Sequence, residues 1–416
     1  MSYTLAEKIL IINTGLKSVE PGDIIDVNVD IAMAHEACAQ VIEPFEKIGV
    51  NRVWNRNKIV IPLDHWIPAS SETAATLHTM IRKFVKKYRI KHFYDVGNHG
   101  ICHQMLVENG FVLPGDIVVG TDSHTNTCGA LGAFATGIGP TEAAAVFATG
   151  KIWFRVPESL KVIVHGKLKF PITANDLSLA ILRQIGDDGA RYMAVEFTGE
   201  GITSMDVASR LTLANMTTEM GAKTGLVPPD KITINYLKKI KLKNGRKLNL
   251  KKLSALRADE DANYEKKIEP LVACPPNPAN VVPAKTLKNV KVDQVFVGSC
   301  TNGRIEDLRI VAKILKGKKI SKNVRMLIYP ATTKIFRDAL NEGLIKIFVE
   351  SGAIVNAPAC AACFGGMGGI LGPDEVCLST SNRNFIGRMG HKTSKVYLCS
   401  PVVAAYSALK RYISIQ

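Results

Sequence analysis

Apolar positions along the chain switch between helical and strand-like spacing, and the predicted elements follow one another in a regular rhythm. Amphipathic helices are expected over residues 3–13, 71–88, 174–186, 205–220, 307–315 and 333–342. Ser70 or Ser71 caps the second of these, with Glu72 early in its first turn. β-Branched or alternating runs predict strands over residues 24–29, 58–63, 92–96, 116–119, 161–165, 292–297 and 324–329. Residues 100–108 and 141–152 continue the alternation. Strand followed by helix, many times over, points to an α/β architecture with mostly parallel strands. No repeat of fixed period is evident.

Two stretches break the rhythm. Residues 257–285 are charged and then proline-rich (Cys274-Pro275-Pro276-Asn277-Pro278), which reads as a linker or a surface crossing. Residues 231–252 hold nine Lys and Arg and no acid, around Asn244-Gly245, the short-turn signal of a β-hairpin. This run concentrates the formal charge of +16. Such a charge raises nucleic acid as a partner. Tyr236 is the single aromatic residue among the lysines, however, and no nucleic-acid-binding motif is present. A solvated lysine-rich hairpin is therefore the expectation, with an acidic protein partner as the next reading.

At 416 residues the chain exceeds one compact core and implies two to three domains. No stretch reaches the roughly 18–20 apolar residues of a spanning helix. The N-terminus does not read as a signal peptide, so a soluble, cytoplasmic chain is expected. Nine cysteines, an odd number, argue against a disulfide framework and for metal or catalytic uses in a reducing compartment. Cys38, Cys102, Cys128, Cys274, Cys377 and Cys399 sit singly among apolar or small residues and are expected to be buried small hydrophobes.

Candidate chemistry collects at predicted strand ends, where α/β folds place ligands. These ends carry Asp64-His65, His103, Gly120-Thr121-Asp122-Ser123-His124, Gly298-Ser299-Cys300-Thr301-Asn302, Cys360-Ala361-Ala362-Cys363 and Ser381-Asn382-Arg383, with Arg388 close behind. Asn215 and Glu219 lie four apart, on one face of a predicted helix. Each element alone is weak. An Asp-His pair is often a structural hydrogen bond, and Cys-x-x-Cys serves zinc sites and thioredoxin-type redox pairs alike. Zinc would want a fourth thiolate or a histidine at short spacing, and none lies nearby. Three cysteines without a fourth, Cys300, Cys360 and Cys363, suit a 4Fe–4S cluster with one iron not ligated by protein. The glycines at 365–369 would let the backbone come close to the cluster sulfides.

Taken together, GTDSH (residues 120–124), GSCTN (298–302), the Cys-x-x-Cys at 360 and 363, and SNRNFIGR (381–388) resemble the aconitase superfamily. The length resembles the large subunits of its split, two-subunit members, the 3-isopropylmalate dehydratases and homoaconitases. The likeness runs from Thr4 to the C-terminus. It implies a three-domain α/β/α arrangement with mostly parallel sheets around a central Fe–S cluster, with divisions at residues 1–156, 157–284 and 285–416. It also implies that Cys300, Cys360 and Cys363 hold the cluster. Asp64, His65, His103, Asp122, Ser123 and His124 match an acid/base network around a departing hydroxyl, with His65 the general acid and Asp64 its support. Asn215 and Glu219 match groups near the open iron. Asn382 matches a cluster-supporting asparagine, and Arg383 and Arg388 match carboxylate-binding arginines. His35 stands at a substrate-contacting position, but His35-Glu36-Ala37-Cys38, Asn126 and Cys128 depart from the expected pattern.

The implied activity is that of a hydro-lyase moving water between neighbouring carbons of a small di- or tricarboxylate. 3-Isopropylmalate comes first, homoaconitate or 2,3-dimethylmalate next, and an RNA-binding, iron-sensing role last. The chain ends soon after Arg388. The resemblance therefore implies a separate small subunit supplying the swivelling domain, with its serine base and substrate arginine.

Overall fold

The computed structural model describes residues 3–248 and 268–416. Its centre is a five-stranded, wholly parallel sheet in the order His92–Tyr94, Ile59–Pro62, Ile31–Met33, Ile117–Gly120, Phe134–Gly137. The three inner strands are buried on both faces, which is why they are continuous apolar runs rather than alternating ones. The short strand Ile31–Met33 is not among the predicted elements. Beside this sheet, Ile24–Asn28 pairs antiparallel with Lys151–Arg155, and both alternate exposed and buried residues as one-sided strands do.

A three-stranded parallel sheet follows, ordered Thr224–Leu226, Ala194–Thr198, Ser159–Ile163. The carboxylate of Glu196, on its middle strand, accepts the backbone N–H groups of Leu5 (3.1 Å) and Ala6 (2.9 Å). It thereby fixes the N-terminus of the helix Leu5–Thr14, where unpaired donors favour an anion. The last sheet has seven strands: Val281–Pro283, Leu271–Ala273, Lys395–Cys399, Val376–Ser379, Gln294–Val297, Arg325–Ile328 and Ile354–Val355. The last five of these are parallel. One hydrophobic cluster runs from Leu5 through the smaller sheets to Phe296, Leu327 and Leu398 of this sheet.

Two expectations are corrected. Residues 271–283 are not linker. Leu271–Ala273 and Val281–Pro283 pair antiparallel and join Lys395–Cys399, and the proline cluster forms the bend between them, where no ladder N–H is lost. Residues 257–267 lie outside the described residues. Nor do the described residues of the basic run, 231–248, form a hairpin. Asp230 accepts the N–H groups of Ile232 (2.9 Å) and Thr233 (3.1 Å) and starts the helix Lys231–Lys238. Ile232, Tyr236 and Leu237 share a helical face that packs with Val107 and Phe111. Asn244 and Gly245 do turn, at φ 59° and 68°, yet the turn docks rather than pairing strands. Asn244 donates to Asn57 O at 2.6 Å and meets His92 Nε2 at 3.0 Å. Residues 249–252 lie outside the described residues.

No described helix is long and apolar enough to cross a membrane. Ser71 caps Glu72–Tyr88 through the N–H of Ala74, as expected.

Candidate active site

Three adjacent strands of the five-stranded sheet end at the same edge, and each hands over to reactive side chains. His35 and Glu36 follow Ile31–Met33, Asp64 and His65 follow Ile59–Pro62, and Asp122 to His124 follow Ile117–Gly120. His65 Nδ1 lies 2.5 Å from Asp64 Oδ1, while Asp64 Oδ2 accepts the N–H of Cys102 at 2.9 Å. Burial opposes a charged His65. Asp64, with Glu36 and Asp122 further off, outweighs burial and pushes its pKa up to about 10. The ring stacks on His35 at 4.3 Å and meets the edge of Phe364 at 4.8 Å.

His103 stands in the first turn of the helix Cys102–Glu108, and its Nε2 lies 3.0 Å from Asp122 Oδ1. The same oxygen accepts the N–H of His124 at 2.8 Å. Burial opposes ionisation of Asp122, but His103 and His124 hold its carboxyl well below the usual range. Asp122 Oδ2 faces His65 Nε2 at 3.7 Å and His35 Nε2 at 3.9 Å, so one carboxylate ties the imidazoles together. His124 Nε2 meets Glu219 Oε1 at 2.8 Å, and Arg383 Nε donates to the same carboxylate at 2.8 and 3.1 Å. Ser123 is exposed, with its hydroxyl 3.3 Å from His124 Nδ1.

The thiols arrive from the facing edge of the seven-stranded sheet. Cys300 follows Gln294–Val297, Asn382 and Arg383 follow Val376–Ser379, and Cys360 and Cys363 follow Ile354–Val355. All three thiols are free and buried. Cys300 Sγ accepts from Asn215 Nδ2 at 3.2 Å, Asn382 Nδ2 at 3.3 Å and the Ser299 hydroxyl at 3.7 Å. Cys363 Sγ reaches the same hydroxyl at 3.6 Å. The Cys360 N–H donates to Asp64 O at 2.7 Å, joining the two halves through the backbone. Beside the cysteines, Ser299 and Ala361 sit in left-handed backbone at φ 78° and 51°. That conformation is costly for residues with a side chain, and it recurs at functional sites. Burial pushes the Cys300 thiol up to about 12. A hydrogen bond from Cys360, with the Arg388 charge adding to it, pulls Cys363 down.

Asn215 and Glu219 do not share one helical face. The α-helix ends at Met216 and tightens into a 3₁₀ turn over Thr217–Met220. Asn215 therefore serves Cys300 and Asn382, whereas Glu219 serves His124 and Arg383. The glycines at 365–369 are also set by protein neighbours. A Cβ at Gly365 would meet Arg388 O at 2.8 Å, and one at Gly369 would meet Leu327 Cδ1 at 2.1 Å. Of the six other cysteines, five are buried and Cys274 is half-buried.

Three residues that support the site were not singled out from sequence. Arg304, 3% exposed, donates to the carbonyls of Cys300 and Thr301, both at 2.6 Å, and to Gln104 and Thr212. Its place just after the Cys300 motif was the available signal. Glu36 lies under the Asp64-His65 bend, and the buried His78 Nε2 is 3.7 Å from Glu36 Oε1. A groove of about 1000 Å³ lined by Val164, Leu168, Leu177, Ala180 and Ile268 holds none of the candidate side chains.

The sequence matches the Aconitase family (aconitate hydratase) over residues 26–286 and 277–410. The chain belongs to the aconitase family. Among its relatives is a chain named "Probable 3-isopropylmalate dehydratase large subunit" in Methanothermobacter thermautotrophicus, 50% identical over 100% of this chain and 99% of that one. The 3-isopropylmalate dehydratase large subunit of Thermodesulfovibrio yellowstonii is 49% identical over 98% and 97%. The large subunit 1 of Methanopyrus kandleri is 47% identical over 100% and 99%. A solved structure, holo-form aconitase X of Thermococcus kodakaraensis, is a distant likeness at 12% identity and TM-score 0.49, covering 86% of this chain and 84% of that one.

Membership of the aconitase family implies a 4Fe–4S cluster, and the thiol site fits one. Three unpaired thiols converge with amide donors aimed at sulfur. Two buried polar atoms beside them, Asn382 Oδ1 and Arg388 Nε, have no partner. Orphaned buried groups of this kind call for a polar occupant.

Proposed function

We propose that this chain is the cluster-bearing large subunit of a 3-isopropylmalate dehydratase, interconverting 2- and 3-isopropylmalate by dehydration and rehydration in leucine biosynthesis. The observation that carries this reading is the meeting of three free thiols with the Asp64–His65 pair in one buried site. Whole-length relatives at 47–50% identity with that name support it. A 4Fe–4S cluster on Cys300, Cys360 and Cys363, with one iron left without a protein ligand, would supply Lewis acidity toward a carboxylate and the departing hydroxyl.

The chain's own residues provide the rest. His65, kept protonated by Asp64 at neutral pH, donates the proton from Nε2 that lets hydroxide leave as water. Asp122 orients that end of the ring while holding His103 and His124. Arg383 and Arg388 bind substrate carboxylates, where a guanidinium fork fixes geometry as well as charge. Glu219 steadies Arg383 for that task, and His35 contacts substrate on the face of His65. Asn215 and Asn382 hold Cys300 by donating to its sulfur.

The carbon-bound proton goes to a serine base on a separate small subunit. That subunit also brings a swivelling domain and a substrate arginine, and the name "large subunit" among the relatives supports its existence. We place the chain in the cytoplasm, where nine unpaired thiols are stable. We also divide it near residues 1–156, 157–270 and 271–416, moving the boundary expected after residue 284 to 270 because Leu271–Ala273 and Val281–Pro283 belong to the seven-stranded sheet. The test is to mix anaerobically purified chain with its small subunit and a panel of malates, following the ultraviolet absorption of the unsaturated product. Turnover of 3-isopropylmalate above the others is expected. Preference for a homoaconitate or 2,3-dimethylmalate substrate would reassign it within the family, and no turnover of any malate would end the hydro-lyase reading.

A further inference from the structure

We infer that Glu36 is the positioning residue for His65, acting through the backbone rather than on substrate. One of its carboxylate oxygens, Oε1, accepts three successive backbone N–H groups, from Asp64 (3.1 Å), His65 (2.9 Å) and Trp66 (3.0 Å). Three consecutive donors converging on one oxygen make an anion cradle, and here the anion belongs to the protein. The cradle is the bend that carries both the general acid and its orienting carboxylate. Glu36 is 1% exposed, so no water can stand in for the lost acceptor. Its other oxygen, Oε2, faces His35 Nδ1 at 3.6 Å and His65 Nδ1 at 3.8 Å, and His78 Nε2 approaches Oε1 at 3.7 Å.

The His65 ring is thus fixed at two levels. Asp64 sets its rotation from Nδ1, and Glu36 sets the peptide from which ring and Asp64 both project. Phe364 and His35 close its flanks. A carboxylate is required because it alone offers a full negative charge to three aligned N–H dipoles. A glutamine keeps the length but presents its amide N–H₂ to the histidines on the other side.

The inference rests on the hydro-lyase reading, and the experiment separates the two. Wild-type, E36Q and E36D chains are loaded with iron and sulfide, paired with the small subunit and assayed on 3-isopropylmalate. If the wild type turns over neither 3-isopropylmalate nor any other malate of the panel, the hydro-lyase reading has failed, and if it prefers another malate the variants are assayed on that one. With wild type active, E36Q should lose kcat by about 30-fold or more while KM stays within about threefold, as misplaced acid groups do. Iron content should not change, since Glu36 touches none of the three cysteines. E36D, which keeps the charge on a shorter arm, should recover part of that kcat. Amide hydrogen exchange at Asp64, His65 and Trp66 should quicken in E36Q. A soluble E36Q with kcat within about twofold of wild type overturns the inference, as does unchanged exchange at those three amides. If E36Q does not fold, E36D decides, and full wild-type kcat there overturns it.

Discussion

The two halves of the site face each other from the strand ends of different sheets, and they are held in opposite ways. On the five-stranded sheet, imidazoles are held by carboxylates: Asp64 with His65, Asp122 with His103 and His124, Glu219 with His124. On the seven-stranded sheet, sulfurs are held by neutral amides and a hydroxyl, from Asn215, Asn382 and Ser299, with Arg304 gripping the backbone behind. In the first half each of these imidazoles has a carboxylate partner, and Arg383 of the second half completes Glu219. In the second, burial pushes the Cys300 thiol up, and Asn382 Oδ1 and Arg388 Nε beside the sulfurs stay unpartnered. The first half thus carries charges able to hold a proton, whereas the second leaves polar atoms facing the space between the sulfurs.

The comparison breaks most sharply at sulfur. Cys360→Ala, like Cys300→Ala or Cys363→Ala, should lower iron from about four per chain to near zero and activity by ~10³-fold or more, measured by iron assay on the anaerobic protein. A Cys360→Ala chain retaining a full cluster would refute the ligand assignment. Next comes the other half. His65→Asn should cut kcat by about 10²- to 10⁴-fold while leaving iron content unchanged, so kinetics and iron assay together show whether the halves separate. Asn382→Ala leaves the thiols in place and removes one donor, so a loss of about 10- to 100-fold in cluster affinity is expected, read from iron retention under chelator.

The last effect is on stability rather than on the chemistry, and it lies where the halves touch. Glu108, on the helix Cys102–Glu108, accepts the Thr332 hydroxyl at 3.1 Å, and burial pushes its pKa up from 4.5 to about 7. A raised carboxyl binds its proton more tightly folded than unfolded. Its contribution is therefore complete below the unfolded pKa and lost as pH rises through the folded one. Wild type should lose up to ~3 kcal/mol between about pH 4.5 and pH 7.5 from this group. Glu108→Gln should flatten that slope, as urea unfolding at pH 5 and pH 8 would show.

Much of the site was legible because its reactive residues sit in short clusters directly after apolar strands. Asp64-His65, Asp122-Ser123-His124 and Ser299-Cys300 each announce a strand end. Glu36 was not legible, because its partners are backbone amides 28 to 30 positions away and amides carry no signature in sequence. The basic run misled because Asn-Gly marks a turn without saying what flanks it. Asp230 and the spacing of Ile232, Tyr236 and Leu237 were the competing helical signal.

By itself, then, the sequence determined the α/β rhythm and the identity of most side chains that the structure brings together at the candidate site. These depend on local spacing and on side-chain chemistry, both of which are written along the chain. Tertiary structure alone decided that Ile31–Met33 lies between Ile59–Pro62 and Ile117–Gly120, so that their loops share one edge. It also decided that Leu271–Ala273 belongs to the sheet of the cysteines, and that the buried Glu36 accepts the backbone N–H of His65. Strand order and backbone hydrogen bonding pair residues far apart in sequence, and no local pattern encodes which distant partner will win.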